Sequence, residues 1–333
     1  MKRKALIGIV ISGICLFLAL RGIDWDAVYG ALRTAHYIYI IPNALLVLFS
    51  MWLRAIRWRL MTNSIKQGIG LHSLFASTMI GFMVNNVLPL RLGEIARPFS
   101  LSRKEDVSRS AAFATIVVER VFDALSLFLI SGMLVAFAPI LIDDNPALSN
   151  VAYIAMFGHI AVLAFLVLLR VKTELALKIT RVLTSILPDR FQVKVIEVVE
   201  KFVEGLGVFK DWRSLALIMF WSLIIWGVVG FSNYFIFLAF DLHAPAYSVP
   251  WFAPFVVLVF VSLGVMLPQA PGFVGAFQFF TIQALKIFGI PASIGLSFSL
   301  VLHIGNYLPV TLVGLYYLRR EHFSLKQIEE EVA

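Results

Sequence analysis

The sequence predicts an all-α, polytopic integral membrane protein. Of its 333 residues, 60% are hydrophobic and 14% are charged, whereas soluble domains are roughly 45–50% apolar and about 25% charged. The mean hydropathy is +0.89, and the apolar residues form long runs separated by basic clusters. A soluble chain of this composition could not cover its surface with polar groups, so lipid is the expected solvent.

The distribution of charge predicts the orientation of the chain. The net charge of +8 comes from 28 Lys+Arg against 20 Asp+Glu, and the basic residues gather at 2–4, 54–59 and 319–320, beside apolar runs. Basic clusters mark the cytoplasmic ends of spans, so both termini are predicted to be cytoplasmic. No basic face with interleaved aromatics is left over, which argues against a nucleic-acid partner. The single cysteine, Cys15, excludes an internal disulfide and a cysteine metal cluster.

Six apolar runs approach the roughly 20 residues that a helical span needs. They cover residues 5–20, 37–53, 107–141, 151–169, 215–240 and 290–318. The first run follows a basic start, as a cleaved signal peptide would. However, Ala19-Leu20-Arg21 is a poor cleavage site and further spans follow, so a span is favoured.

A short helix over 24–36 is predicted to lie along the membrane–water interface on the outer side of the bilayer. The residues that support it share one helical face, and they are Trp25, Val28, Tyr29 and Leu32.

Two further apolar runs predict re-entrant hairpins. If 71–90 crossed completely, the basic residues from Arg91 to Arg109 would face outward, against the charge rule. A hairpin that enters from the inside, turns at 85–89 and returns through 91–100 removes this conflict. The second hairpin, with arms at 251–267 and 273–287, is predicted to enter from the outside. Such breaks are tolerated at membrane depth where they are buried in protein or line a wet cavity.

The two hairpin turns predict an inverted repeat. Leu88-Pro89-x-x-x-Gly93 and Leu267-Pro268-x-x-x-Gly272 share one pattern within units of opposite topology. We therefore divide the single membrane domain, 1–333, into a first half over 37–141 and a second over 212–318. Inverted repeats place a binding site near the bilayer midplane. Chance similarity of two Pro-Gly turns is the alternative.

Residues 172–210 predict two amphipathic helices on the inner surface, because apolar residues recur at helical spacing on both sides of Pro188. A structural cover is favoured over a hairpin that docks a partner.

Charged residues within apolar helices are functional candidates, because each costs about 2.5–3.5 kcal/mol to insert. Glu119 and Asp123 share a face of one helix, and Arg120 is spaced to pair with Asp123. Glu94 and Arg97 form a similar pair after the first break. The alternatives are an ion pair that only fixes helix packing and an interfacial salt bridge, respectively.

The remaining candidates are cationic or neutral polar residues. Arg54, Arg57 and Arg59 flank Trp58 at the inner membrane boundary, where most arginines anchor helices but a guanidinium can also bind phosphate as a planar fork. His303 and Asn306 lie one turn apart in the last span. A lone histidine there is more often a packing residue than a ligand.

Together these arguments predict two sets of functional residues, one for substrate binding and translocation and one for gating. The predicted substrate-binding and translocation residues are Arg54, Arg57, Asn86, Arg91, Glu94, Arg97, Glu119, Arg120, Asp123, Gln269, His303 and Asn306. The predicted gate residues are Pro89, Gly93, Pro268, Pro271, Gly272 and Gly275. No metal-ligand spacing and no nucleotide or hydrolase motif occurs, so neither a cofactor nor a metal nor a catalytic residue is predicted.

Several of these motifs together resemble a known family. They are Arg54-x-x-Arg57-Trp58, Asn86-x-Leu88-Pro89-x-Arg91-x-Gly93-Glu94-x-x-Arg97, Glu119-Arg120-x-x-Asp123 and Leu267-Pro268-x-x-Pro271-Gly272-x-x-Gly275. Nearly the whole chain resembles the lysylphosphatidylglycerol synthase transmembrane-region family, also called UPF0104, which includes the flippase portion of the multiple peptide resistance factor. The resemblance implies a multi-pass protein of the bacterial or archaeal cytoplasmic membrane that handles lipid.

Two departures from the family limit that implication. Only a short tail follows Arg320, so the soluble aminoacyl-transferase domain of fused members, and with it lipid lysylation, is not expected. Gln278 stands where the resemblance implies a glutamate in many members.

The functional hypothesis is transbilayer flipping of a phospholipid or lipid-linked anionic molecule. One alternative is a membrane-embedded lipid-modifying enzyme with Glu119 or Asp123 as general base. The other is a non-catalytic accessory that docks a cytosolic lipid-acting transferase through 172–210. The expected partners are membrane lipids with anionic headgroups, and a homo-oligomer and a cytosolic lipid-modifying enzyme stay open.

Overall fold

The computed structural model describes residues 2–88, 91–137, 172–185, 212–266 and 270–321, with scattered positions between 157 and 196. In these ranges the helices are α1 (Lys2–Leu20), α2 (Trp25–Thr34), α3 (Ile40–Thr62), α4 (Leu71–Val87), α5 (Gly93–Glu105), α6 (Arg109–Phe137), α7 (Thr173–Thr184), α8 (Trp212–Ala239), α9 (Ala253–Met266), α10 (Ala276–Lys286) and α11 (Ala292–Arg320). No strand occurs in the described ranges, so the all-helical prediction is confirmed.

Three of the described helices are long and apolar enough to cross a membrane. They are α3 with the 3-10 turn before it (Tyr37–Thr62), α8 and α11. The pair α1 and α2 adds a fourth candidate if it counts as one span, although the two helices are bent by 88°. The predicted span at 151–169 and the acidic loop before it fall mostly or wholly outside the described residues, so the total of six spans stays a prediction.

Helix α3 exposes some of its large apolar residues and buries several of its polar ones. Leu45 and Phe49 are exposed, whereas Asn43, Ser50 and Arg57 are buried. A water-soluble helix has the opposite arrangement, with its apolar stripe facing the core. The surface of α3 is therefore suited to lipid, and its polar residues are available to interior sites.

Helix α2 begins at a capped turn and divides its apolar residues between two environments. The Asp24 side chain accepts hydrogen bonds from the Asp26 and Ala27 backbone amides, which satisfies donors that a helix start leaves open. Val28 packs in a small core with α1, α10 and α11, whereas Trp25 and Tyr29 are 61% and 69% exposed. The single apolar face predicted for this helix thus serves both packing and an exposed aromatic pair suited to a membrane interface.

Each of the two interrupted apolar runs forms a pair of packed helices. Helices α4 and α5 form the first, and α9 and α10 form the second. The first pair approaches closely because Gly81 of α4 lies against Arg97 and the Gly93 carbonyl of α5. Pro89 at the first break, with Pro268 and Gln269 at the second, lies outside the described residues.

Helix α11 packs against both helix pairs, with each half in a separate hydrophobic cluster. Its second half packs with α3, α4 and α5 around Met83 and Val310. Its first half packs with α8, α9 and α10 around Phe237 and Phe298. One helix therefore positions both breaks.

The chain divides into two compact units. The first comprises the chain up to Ile116 and from Phe220 onward, and the second comprises Val117–Met219. The described part of the second unit includes most of α6 and all of α7. Helix α7 agrees with the first of the two amphipathic helices predicted over 172–210, while most of the second predicted helix lies outside the described residues.

Candidate functional site

Helix α3 places two arginines and a tryptophan in the interior of the first unit. Arg54 and Arg57 are one turn apart, and Trp58 follows directly. All three are buried, Arg57 and Trp58 completely. Arginine keeps its charge in almost any environment, so these side chains bring fixed positive charge into an apolar protein.

Aromatic rings and hydroxyl groups surround these arginines. The Arg54 guanidinium lies 5.2 Å from the ring centroids of both Phe82 and Trp226. Arg57 Nη1 donates to Ser222 Oγ at 2.7 Å. These contacts come from two neighbouring helices, α4 and α8.

Arg97 of α5 adds a third guanidinium, which lies over the Trp58 ring. Its guanidinium lies 3.9 Å from the Trp58 ring centroid, and Trp58 Nε1 donates to Thr115 Oγ1 at 2.8 Å. A cation over a buried indole gains about 2 kcal/mol or more when it is desolvated. We call Arg54, Arg57, Trp58, Arg97 and Trp226 the arginine–indole cluster.

A second charged group lies on α6 within the second unit. Arg120 Nη2 is 2.6 Å from Glu119 Oε1 and 3.1 Å from Asp123 Oδ2. Both carboxylates are buried. The spacing predicted for Arg120 and Asp123 is realised as an ion pair, and Glu119 shares the same guanidinium.

The first break, between α4 and α5, is stabilised by polar contacts at the start of α5. Asn85 Oδ1 accepts a hydrogen bond from the Gly93 amide at 2.8 Å. Arg91 has φ 56, a left-handed conformation that residues other than glycine rarely adopt. Its side chain lies 3.7 Å from Glu94 Oε1 and donates to the Val265 carbonyl at the end of α9. Arg91 therefore links the first break to the second hairpin.

The second break, between α9 and α10, also contains left-handed backbone, at Gly272, Phe273 and Gly275. The Gly275 amide at the start of α10 donates to Gln278 Oε1 at 2.7 Å. The Ala270 amide donates to Ser12 Oγ of α1 at 2.8 Å. Sparsely populated backbone persists only where its surroundings impose it, and it clusters at functional sites. Both breaks show this feature.

Helix α11 connects the two breaks through a polar face. Tyr307 Oη donates to the Asn86 carbonyl at 3.2 Å, and Asn86 Nδ2 donates to Thr311 Oγ1 at 2.9 Å. A side chain added at Gly272 would meet the Tyr307 ring and the Asn86 carbonyl. One turn before Tyr307 on α11, His303 Nδ1 lies 3.0 Å from Gln278 Nε2 of α10. We call Asn86, Gly272, Gln278, His303 and Tyr307 the break junction.

A separate polar contact ties α3 to α8 and α11. Asn43 Nδ2 donates to the Ser232 carbonyl at 3.0 Å and to Asn306 Oδ1 at 3.3 Å. Gly305 makes room for the Asn43 side chain, as small residues do where membrane helices approach closely.

We expect Asn43→Ala to lower the thermal stability of the purified protein. Hydrogen bonds between membrane helices average about 0.6 kcal/mol and reach about 1.7, so the loss of both bonds should lower the unfolding midpoint by a few degrees. Thermal unfolding in detergent measures this. Asn63→Ala, at an exposed position after α3, is the control, and an equal shift in both variants would contradict the assignment.

The structure brings some predicted residues together and separates others. Arg54, Arg57 and Arg97 join in one cluster. Glu94 and Arg97, which the sequence analysis groups together, have different neighbours: Glu94 lies beside Arg91, and the Arg97 guanidinium lies over Trp58. His303 and Asn306, one turn apart in sequence, have different partners, Gln278 and Asn43.

Sequence reasoning missed several residues that hold these sites. They are Asn43, Phe82, Ser222, Trp226, Tyr307 and Thr311. Tyr307 and Thr311 are four residues apart and follow Asn306, so a search for polar residues on one face of the last span would have found them. The aromatic partners gave no such signal, because aromatic residues are common in every span.

Comparisons with known proteins agree with this architecture. The family model described as "Lysylphosphatidylglycerol synthase TM region" matches residues 5–314. A UPF0104 membrane protein of Methanothermobacter thermautotrophicus is 24% identical over 326 residues, covering 95% of each chain. Similar proteins occur in Methanocaldococcus jannaschii, at 22% identity over 93% of each chain, and in Pyrococcus horikoshii, at 22% over 96% of this chain and 97% of the relative. The chain belongs to the lysylphosphatidylglycerol synthase TM region family, also named UPF0104.

Proposed function

We propose that the protein moves a phospholipid or lipid-linked anionic molecule between the leaflets of the cytoplasmic membrane. The observation that carries this proposal is the arginine–indole cluster. It concentrates three buried guanidinium groups within a chain whose surface suits lipid. Guanidinium forks bind phosphate oxygens in pairs. A headgroup with a phosphate needs such donors when it leaves water while its tails stay in hydrocarbon.

The two breaks supply the movable part in this proposal. We infer that the hairpins are re-entrant and related as an inverted repeat, that six helices span the membrane, and that both termini are cytoplasmic. Two features support the repeat. Each break contains left-handed backbone, and the two hairpins pack on opposite halves of α11. In transporters of this kind, one repeat moves against the other around a site near the midplane.

The carboxylates of α6 have a supporting role in this proposal. Glu119 and Asp123 share the Arg120 guanidinium. A carboxylate in an ion pair is a weak general base, so holding or switching the path suits this group better than catalysis. The family description connects this chain to lipid chemistry, and lipid modification is therefore the competing outcome to measure.

Reconstitution tests the proposal directly. The full chain is placed in liposomes with fluorescent phosphatidylglycerol, phosphatidylcholine or a polyprenyl-phosphate analogue, and outer-leaflet probe is quenched chemically. We expect the anionic probes to cross faster than in protein-free vesicles and faster than phosphatidylcholine. Rates equal to protein-free vesicles for every headgroup would refute the proposal. Mass spectrometry of the recovered lipid identifies the enzyme alternative by a covalently changed species.

A further inference from the structure

In the break junction, the oxygen and the nitrogen of the Gln278 side-chain amide contact different groups. Gln278 Oε1 accepts from the Gly275 amide at 2.7 Å, and Gln278 Nε2 lies 3.0 Å from His303 Nδ1. Because the oxygen is committed to a backbone N–H, the nitrogen end must face the histidine. An amide nitrogen only donates, so His303 Nδ1 must be the acceptor and must carry no proton.

This arrangement makes the start of α10 dependent on the state of the imidazole. A proton on Nδ1 would place two donors face to face. The amide could turn its oxygen toward the imidazolium, but then its nitrogen would face the Gly275 amide, which would lose its acceptor. Gly275 has φ 93 and is the residue immediately before α10. Neither orientation of Gln278 satisfies both neighbours once His303 is protonated.

His303 also contacts the other end of the second break. Its ring stacks on Phe277 with 4.4 Å between centroids, and the Gly272 backbone is its other polar neighbour. The edge of the ring meets Tyr307, whose hydroxyl holds the Asn86 carbonyl at the first break. A change at the imidazole therefore reaches both breaks through direct contacts.

The described contacts of His303 include no carboxylate: its ring meets Gln278, Phe277, Tyr307 and the Gly272 backbone. Its own helix also has Tyr316, Tyr317, Arg319 and Arg320, far along the chain from His303. The helices that pack against α11 include these ionisable residues: Lys2, Arg3, Lys4 and Cys15 of α1, Asp26, Tyr29 and Arg33 of α2, Arg54, Arg57 and Arg59 of α3, His72 of α4 and Lys286 of α10, with Arg91 and Glu94 at the first break. Among the described ionisable groups of these helices, only Tyr307 touches the imidazole, through its ring edge.

We propose that His303 is a proton-binding site and that a proton at Nδ1 releases the Gly272–Gly275 segment from α10 and α11. This deepens the proposed function, on which it rests, by making the second break its proton-dependent gate. The ligand is H⁺, and the proton comes from water that reaches the break. No other co-reactant is required.

Spin labelling at the break tests this proposal in the full chain. Cys15 is the single cysteine, so Cys15→Ser provides a background for Val274→Cys, which lies between Gly272 and Gly275 and is 47% exposed. Ile304→Cys, 56% exposed next to His303, is the control label. Each labelled protein is placed in lipid nanodiscs without added substrate and titrated across about pH 5–8, the range in which histidines change charge.

We expect the label at 274 to be immobile at high pH and to become mobile as the pH falls, while the label at 304 stays unchanged. His303→Gln keeps an acceptor that does not titrate, so its label at 274 should stay immobile throughout. In Gln278→Glu, a carboxylate accepts from both the Gly275 amide and a protonated His303, so this variant should also lose the transition. Size-exclusion chromatography at neutral pH verifies that both variants are folded.

Three results would overturn the proposal: no transition in the parent, the same transition in His303→Gln, or the same transition in Gln278→Glu. These results are independent of the liposome assay, because no lipid probe is present. Lipid movement without the transition would refute the proton site alone. The transition without lipid movement would refute the proposed function alone.

Discussion

Replacing Arg57 with lysine is expected to lower the transport of anionic lipid by about tenfold to a hundredfold. Lysine keeps the charge but loses the planar fork that binds two oxygens at once. A hydrogen bond to a charged group contributes about 1.5–3 kcal/mol, and about 1.4 kcal/mol corresponds to a tenfold change in rate. Arg57 is completely buried and donates to Ser222, so its geometry is fixed before substrate arrives.

The matched control for Arg57→Lys is two residues away. Arg59 is on the same helix, but it is exposed, so Arg59→Lys should leave transport near the parent rate. Both variants are compared by the liposome assay with phosphatidylglycerol and phosphatidylcholine probes at equal protein content. An equal loss in both variants, or a loss of the same size for both probes, would contradict an anion-binding role for Arg57. Trp58→Phe keeps a ring beneath Arg97 and should have a smaller effect.

Replacing Gly93 with alanine is expected to destabilise the first hairpin more than any other single methyl group added to it. The new Cβ would meet the Gly81 carbonyl oxygen and the Asn85 side chain, so α4 and α5 would have to separate. Overpacking in a filled interior costs about 1–3 kcal/mol and occasionally more. The Gly81 carbonyl is part of the backbone and cannot rotate aside as a side chain would. We therefore expect the free energy of unfolding to fall by about 3 kcal/mol. The Asn85 contact that holds the start of α5 should be lost as well.

Thermal unfolding in detergent and the yield of monodisperse protein measure this effect. Gly227 of α8 is the control, because a Cβ there meets nothing within 4 Å and its backbone is helical. Gly227→Ala should be neutral or slightly stabilising, since alanine favours helix over glycine by about 1 kcal/mol. If Gly93→Ala unfolded at the same temperature as Gly227→Ala, the close approach of α4 and α5 would be wrong.

Much of the fold could be predicted because membrane insertion is governed by local composition. The long apolar runs ending at Thr62, Ala239 and Arg320 are helices of spanning length. The interrupted runs are helix pairs, as expected where proline and glycine, the two weakest helix formers, occur close together. The charge-based argument that 71–90 cannot be a simple span led to the first hairpin. All of these inferences use properties of neighbouring residues only.

The candidate site was predicted less completely, because the spacing of residues on one helix does not determine which residues their side chains contact on other helices. Arg97 was spaced to meet Glu94, but the Arg97 guanidinium lies over the Trp58 ring of α3, and Glu94 lies beside Arg91. Gln278 was noted only as a departure from the family pattern. Its role at the start of α10 depends on the left-handed backbone of Gly275 and on a histidine 25 positions away.

The sequence alone determined that this chain belongs in lipid, that most of its charges flank the apolar runs while a few, such as Arg97 and Glu119, lie within helices, and that two apolar runs are broken. It could do so because hydropathy, charge and helix breaking are properties of short segments. The tertiary structure decided that Arg54 and Arg97 lie over two indoles, that Arg57 donates to Ser222, and that both breaks meet at His303 and Tyr307. Such contacts join residues up to 221 positions apart, and they depend on how helices pack rather than on any segment by itself.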